Sequence, residues 1–146
     1  MSPGPAPRRA RLWHLPRLAR ILWTSVPRRG WRARLGDLRL LARLVWRGQI
    51  THLPGRLGPR GFLARDGVRI HALYTHPRAR RQGVARRLMR EAQAQAQRLE
   101  LWTAQDNAPA RAFYTAHGFY PVALGFGQGN DDGQPDMRLI WQRGAP

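Results

Sequence analysis

The sequence of 146 residues contains no cysteine and no lysine. Without cysteine, disulfide frameworks, thiolate zinc sites and cysteine nucleophiles are excluded, and the composition suits a reducing compartment, so we expect a cytoplasmic protein. No stretch approaches the roughly 18–20 apolar residues that a membrane span requires. Arginine and proline interrupt the apolar part of residues 1–23, so we expect no secretory signal there. The length fits one domain that can bury a core.

Acidic residues are also scarce. All 26 basic residues are arginine and only eight residues are acidic, which gives a net charge of +18. Residues 1–56 hold 13 arginines and one acid (13 − 1 = +12), whereas residues 57–146 hold 13 arginines and seven acids (13 − 7 = +6). A charge of this size attracts nucleic acid, anionic lipid or a polyanionic cofactor such as coenzyme A.

Residues 1–56 show one clear helical pattern. Residues 1–10 are rich in proline and arginine and are predicted to be disordered, and residues 11–23 are predicted to form a short basic helix that Pro16 breaks. Residues 31–46 are predicted to form an amphipathic helix, and residues 48–60 a loop. The predicted apolar positions of that helix are Trp31, Leu35, Leu38, Leu41, Leu44 and Val45.

The pattern changes after residue 56, where strands and helices alternate. Strands are predicted at residues 61–64, 68–75, 99–104, 119–126 and 137–142, and helices at 84–98 and 108–117. Asp66-Gly67 is a hairpin turn between the first two of these strands. Alternation along the second strand predicts Ile70 and Ala72 on one face and His71 and Leu73 on the other. This order of elements predicts a mixed α/β sheet.

A glycine-containing loop joins the strand before it to the helix predicted at residues 84–98. Its residues are Arg80, Arg81, Gln82, Gly83, Val84 and Ala85. The first N–H groups of a helix have no partner within the helix, and the helix dipole adds positive potential there. Because Gly83 lets the backbone approach a bulky anion, the loop can hold a pyrophosphate. By itself the pattern fits a purely structural turn equally well.

Two motifs in sequence order resemble the GNAT family of N-acetyltransferases. The first is the strand end Leu73-Tyr74-Thr75-His76-Pro77 followed by Arg80, Gly83 and Ala85. The second consists of Asn107, Ala110, Phe113, Tyr114, Gly118 and Phe119. The resemblance covers about residues 57–141 and implies a GNAT fold, with a mostly antiparallel sheet that opens between the strand ending at Thr75 and the strand starting near Leu99. We therefore divide the chain into a basic region, 1–56, and a core that binds acetyl-CoA, 57–146.

The resemblance also implies roles for individual residues in moving an acetyl group from acetyl-CoA to a primary amine. Tyr114 would protonate the departing thiolate, Asn107 would contact the cofactor near its pantetheine arm, and Leu73 to Thr75 would bind that arm through the backbone. The implied cofactor-binding residues are Leu73, Tyr74, Thr75, Arg80, Arg81, Gln82, Gly83, Val84, Ala85, Arg86 and Asn107.

The general base is the least defined part of the predicted site. Relatives often carry a glutamate at the position that Arg69 occupies here, so that carboxylate is missing. His71 lies two residues along and can accept a proton because the ordinary pKa of histidine is about 6.5. His76 and a chain of water molecules are alternatives, and no spacing of histidine and acidic residues indicates a metal site.

Several alternatives stay open at this point. Residues 1–56 can be a divergent form of the helices that shape the acceptor pocket, an unrelated basic extension, or a stretch translated in a non-native frame. The alternative function is that of an inactive domain that binds coenzyme A or, through residues 8–47, anionic lipid or nucleic acid. The sequence identifies neither the acceptor amine nor a homodimer. The acidic residues at 131, 132 and 136 would suit a cationic acceptor or a solvated loop.

Overall fold

A computed structural model describes residues 4–26, 30–126 and 133–144. These residues form one seven-stranded sheet in the order β1-β2-β3-β4-β5-β7-β6. The strands are β1 (Arg8–Arg9), β2 (Ile50–Leu53), β3 (Gly61–Asp66), β4 (Arg69–Thr75), β5 (Arg98–Ala104), β6 (Tyr120–Gly125) and β7 (Asp136–Gln142), and the helices are α1 (Leu15–Ser25), α2 (Trp31–Trp46), α3 (Val84–Gln95) and α4 (Ala108–Ala116). Neighbouring strands are antiparallel except β4 and β5, which confirms the predicted mixed sheet.

Three predictions for the N-terminal part are wrong. Pro16 does not break a helix but lies in the first turn of α1, where its fixed φ and missing N–H are tolerated. The predicted loop 48–60 contains β2, and β1 forms within the stretch predicted to be disordered. Both strands are short and owe their extended conformation to pairing, β1 with β2 and β2 with β3. The change of composition near residue 56 lies in the connection between β2 and β3.

The sheet separates two hydrophobic cores. On one side α3 and α4 cover a core that includes Leu63, Leu88 and Leu99. On the other side α1 and α2 form a core with Phe62 and Ala64 of β3, and partly buried side chains of β4 pack against it. The N-terminal helices therefore cover the same sheet as the C-terminal ones, from the opposite face.

The buried face of α2 differs from the predicted one. Its buried residues are Asp37, Leu41, Leu44 and Val45, whereas Trp31 and Leu35 are 68% and 46% exposed. The reason is that α2 packs mainly against α1 and buries only a narrow stripe. That stripe tolerates a carboxylate because the indole Nε1 of Trp23 donates a hydrogen bond to Asp37 at 3.0 Å.

A β-bulge overturns the predicted faces of β4. Ala64 pairs with Ala72 and Arg65 pairs with Ile70, so His71 is an extra residue without a partner in β3. One extra residue shifts the alternation of side chains by one position. Ile70 consequently packs in the same core as Leu73, under α3, while Ala72 packs in the core under α1 and α2.

A buried histidine with one unpaired ring nitrogen lies in the described N-terminal half of the sheet. The side chain of His52, in β2, is 5% exposed, and its Nδ1 has no hydrogen-bond partner among the described residues. Its ring centroid lies 4.3 Å from that of His14. Burial, and then the charges of His14 and Arg8, lower the pKa of His52 from 6.5 to about 4. The folded protein thus holds this imidazole neutral.

We predict that His52 makes the protein less stable in acid. Between about pH 6.5 and 4 the unfolded chain binds a proton at this residue and the folded chain does not, so stability falls as the pH falls through that range. The loss reaches roughly 3 kcal/mol. Replacing His52 with leucine should remove this loss and leave the stability at neutral pH unchanged or higher, because the buried Nδ1 without a partner is then gone. Urea unfolding at several pH values measures this; an equal acid loss in His52→Leu would contradict the prediction.

Candidate active site

The predicted opening of the sheet lies between β4 and β5. Among the described residues these strands share one register pair, Arg69 with Glu100, next to a hydrogen bond of 2.7 Å from the Glu100 N–H to the Val68 carbonyl. β5 pairs along its whole length with β7 on its other side. The edge of β4 from Ile70 to Thr75 consequently faces a gap, where its outward backbone groups can bind an extended ligand.

The loop before α3 has the backbone of an anion site. Arg81 and Gly83 have φ angles of 63° and 76°, and α3 begins directly after Gly83. A positive φ is costly for arginine, and such strain concentrates at functional sites. A Cβ added at Gly83 would meet no atom within 4 Å, so the space over this helix end is open. Unpaired N–H groups and open space together fit a phosphate-sized anion.

Side chains around this loop have more specific roles than the sequence predicted. The Gln82 amide donates to the Arg78 carbonyl at 3.2 Å and its oxygen accepts a hydrogen bond from Arg60. Gln82 therefore fixes the loop to the start of β3, and Arg60 is a positive group that the sequence did not single out. Val84 is buried in the core, so only its backbone can contact a ligand.

Tyr114 lies on α4 and packs against the core beneath α3, with Phe113 and Phe119 as neighbouring rings. Burial, and then the charge that Tyr74 would carry, raise the pKa of Tyr114 to about 12. The phenol therefore stays protonated throughout the neutral range. Tyr74 lies on the open edge of β4, one residue before the strand ends at Thr75.

Asn107 caps α4. Its Oδ1 accepts a hydrogen bond of 3.3 Å from the Ala110 N–H, which satisfies one of the unpaired donors of the first helical turn. The helix predicted at residues 108–117 already starts directly after this asparagine, and asparagine before a helix is a common cap. A ligand contact by Asn107 would use the amide NH₂ group, which the cap leaves available.

The two histidines of β4 and its end differ in environment. His71 is exposed as a residue on the bulge, but its ring is partly desolvated. This desolvation, and then the charge of Arg69, lower its pKa, while Asp66 opposes the shift. His76 is buried, and its Nδ1 accepts a hydrogen bond from the Arg78 N–H at 3.1 Å. The structure thus gives His76 a capping role and leaves His71 as the histidine beside the gap.

One carboxylate at the closed end of the gap was not predicted as part of the site. Arg138 donates to Glu100 at 2.5 Å, and Arg98 lies 3.6 Å from the same oxygen. The hydrogen bond from Arg138 is the largest cause that lowers the pKa of Glu100. An ionised carboxylate that is paired with arginine and has a lowered pKa is a poor proton acceptor at neutral pH. Glu100 therefore does not replace the missing glutamate as a base.

The loop from Arg80 to Ala85 at the start of α3, which we call the cradle, lies next to the open edge of β4. An open sheet edge beside such an anion site is typical of α/β enzymes that bind a phosphorylated cofactor. Residues 47–119, half of the chain, match the sequence pattern of the acetyltransferase (GNAT) family. The chain belongs to the GNAT acetyltransferase family.

Solved structures of low sequence identity share this fold. The apo form of YjaB from Escherichia coli is 23% identical, with a TM-score of 0.74 over 93% of this chain and 96% of its own. A GNAT-family acetyltransferase from Bacillus cereus is 16% identical, with a TM-score of 0.78 over 93% and 95%. The PaiA N-acetyltransferase from Thermoplasma acidophilum, solved with coenzyme A, is 15% identical, with a TM-score of 0.66 over 93% and 97%. No curated protein matches the sequence significantly.

Proposed function

We propose that the protein transfers an acetyl group from acetyl-CoA to a primary amine. The observation that carries the proposal is the continuity of two features: the open edge of β4 ends at Thr75, and the strained loop at Arg81 and Gly83 follows it at the start of α3. Such an arrangement suits a ligand with an extended arm and a pyrophosphate. Family membership and a structural neighbour solved with coenzyme A support the same donor.

In this proposal the chain binds the donor mainly through its backbone. The N–H groups from Arg81 to Arg86 hold the pyrophosphate, and the arginine side chains at 80, 81 and 86 add positive charge. Backbone groups of Leu73, Tyr74 and Thr75 bind the pantetheine arm as a further strand would, and the NH₂ group of Asn107 donates to the same arm. The N–H groups of the loop and the backbone of β4 need no particular side chain, so affinity depends on backbone geometry as well as on the arginines and Asn107.

The chemical step balances as a direct transfer. The amine nitrogen attacks the thioester carbonyl, a C–N bond forms, and the C–S bond breaks. The carbonyl oxygen is stabilised by a backbone N–H of β4 near Leu73 to Thr75. The departing sulfur takes a proton from the Tyr114 hydroxyl, and the nitrogen loses its extra proton to His71 or to water. The protons lost and gained are equal once Tyr114 is reprotonated.

His71 gives this proposal a pH test. A base must be neutral to act, and the pKa of His71 lies below its ordinary value of 6.5, so protonation of His71 should lower kcat/KM on an acidic limb that lies below about pH 6.5. We predict that His71→Gln lowers kcat/KM by about 10- to 100-fold and removes the acidic limb of the profile. Initial rates across a series of buffers measure both. If the acidic limb persisted in His71→Gln, water would be the proton acceptor.

Release of free thiol tests the function directly. A thiol reagent reports coenzyme A as it forms, and because the chain has no cysteine the protein itself gives no background. Incubation with acetyl-CoA and a panel of primary amines should release thiol only when an acceptor is present. Donor binding without turnover on any amine would indicate a domain that binds the cofactor but does not catalyse the transfer.

A further inference from the structure

The outer face of α2 carries large apolar side chains that nothing in the described part of the chain covers. Trp31, Leu35 and Trp46 are 68%, 46% and 80% exposed. At about 100° per residue their directions fall within roughly 60° of one another, and at about 1.5 Å per residue the stripe is roughly 22 Å long. The exposed tryptophans stand at its two ends, where α2 begins and ends.

Arginine side chains flank the apolar stripe of α2, and no exposed acidic residue of α2 lies beside them. Arg32, Arg39 and Arg43 are exposed on the adjoining strip of the helix. The only acidic residue between positions 1 and 56, Asp37, points inward, is 8% exposed and accepts a hydrogen bond from Trp23. We call Trp31, Leu35, Trp46, Arg32, Arg39 and Arg43 the Trp–Arg face.

We propose that the Trp–Arg face docks the enzyme on an anionic lipid surface. A helix with an apolar stripe and a basic border binds in the plane of a membrane interface, its aromatic rings at headgroup depth and its cations on anionic headgroups. No helix in the described part of the chain is long and apolar enough to cross a membrane. A contact made by the Trp–Arg face lies in the plane of the interface and depends on lipid charge.

A second copy of the chain fits this face poorly. Packing α2 against α2 would bring arginines of both copies together with no exposed acid to pair with them. A nucleic acid fits less well than a lipid surface, because non-specific single-strand binding relies on free aromatic faces for stacking. The Arg32 guanidinium lies 5.2 Å from the ring centroid of Trp31, and Leu35 offers no ring.

Flotation of the full-length protein with lipid vesicles tests the proposal. The probes are phosphatidylcholine vesicles with and without phosphatidylglycerol, and the variant is Trp31→Ala/Trp46→Ala. The control is Leu57→Ala/Phe126→Ala, which removes apolar side chains that are 80% and 82% exposed outside α2. All four substituted residues are exposed, so folding should be retained, and circular dichroism checks this.

We expect binding to the anionic vesicles alone, weakened by added salt. The tryptophan pair should lower the partition coefficient by about 100-fold, and the control by less than about threefold. The proposal would be overturned if the two double variants lowered the partition coefficient equally. It would also be overturned if vesicles with and without phosphatidylglycerol bound the protein equally well. The proposal would also be overturned if the protein bound a single-stranded RNA oligonucleotide more tightly than the anionic vesicles and the Trp31→Ala/Trp46→Ala variant weakened that binding. Thiol release with soluble amines is measured on the same variants and should not change, so this test and the test of acetyl transfer fail independently.

Discussion

Replacing Tyr114 with phenylalanine should lower kcat by about 10²- to 10⁴-fold while the affinity for acetyl-CoA changes little. The substitution removes one hydroxyl and keeps the ring that packs against Phe113 and Phe119. Folding and donor binding should therefore persist, and the loss should appear in the chemical step. Steady-state rates of thiol release, together with calorimetric binding of coenzyme A, separate the two quantities.

The raised pKa of Tyr114 bears on how it can act. A phenol with a pKa of about 12 is a weak proton donor towards a free thiolate in water. Burial, however, raises the pKa of a thiol in the same pocket for the same reason, since both groups are charged when deprotonated. The difference between the two is thereby reduced. Because Tyr114 stays protonated well above neutral pH, it should produce no alkaline loss of activity below about pH 11.

Tyr120→Phe is the matched control for this prediction. Tyr120 is partly exposed on β6, at 38%, and donates a hydrogen bond to Gln142 at 3.3 Å. Losing that hydroxyl should leave kcat within about twofold, as expected for a surface substitution away from the site. If Tyr114→Phe behaved like Tyr120→Phe, the proton donor would be another group or water, while the donor-binding site would be unaffected by that result.

The C-terminal elements could be predicted because their signals are local. The start of α3 follows from Gly83, and the bounds of α4 follow from Asn107 and Gly118, each of which acts within a few residues. The end of α3 has no such signal, and the helix stops at Gln95 rather than at the predicted residue 98. The hairpin turn at Gly67 has the positive φ, 58°, that its sequence indicates. Two motifs at fixed separation then specify the family far better than either does alone.

The N-terminal strands and the bulge depend on partners distant in sequence. β2 has four residues between Gly48 and Pro54, too few for an alternation pattern, and it is held by β3. An extra residue in β4 appears only when its register against β3 is known, so His71 could not be assigned to a face beforehand. Similarly, the contact of Glu100 with Arg138 joins residues 38 positions apart.

The prediction of a pyrophosphate site before α3 rested on the start of the helix, on the loop arginines and on Gly83. The structure adds a reason for the glycine. The backbone of Gly83 has a positive φ, and a Cβ added there would meet no atom within 4 Å. Arg81 also has a positive φ, which is unfavourable for a residue with a side chain. No sequence pattern predicts that an arginine adopts a positive φ. The strain is nonetheless consistent with a loop whose N–H groups converge on one ligand.

Gly83→Asp should weaken binding of acetyl-CoA by at least about 100-fold. Aspartate tolerates a positive φ better than most residues, so the loop should keep its shape at a modest cost in stability. Its carboxylate would, however, enter the open space over the end of α3 and repel a pyrophosphate there. Isothermal titration with acetyl-CoA at low and at moderate ionic strength measures the effect.

Gly67→Asp is the matched control, because Gly67 also has a positive φ, 58°, and a Cβ added there also meets no atom within 4 Å. Both substitutions add the same charge and a similar strain, but only Gly83 lies at the helix end. Donor binding should therefore survive in Gly67→Asp and at moderate salt. If the two variants bound equally and salt removed the binding of the unmodified protein, the +18 charge would be attracting the cofactor as a general polyanion. That result would mean that the cradle has no specific role, and the proposal of acetyl transfer would have to be abandoned.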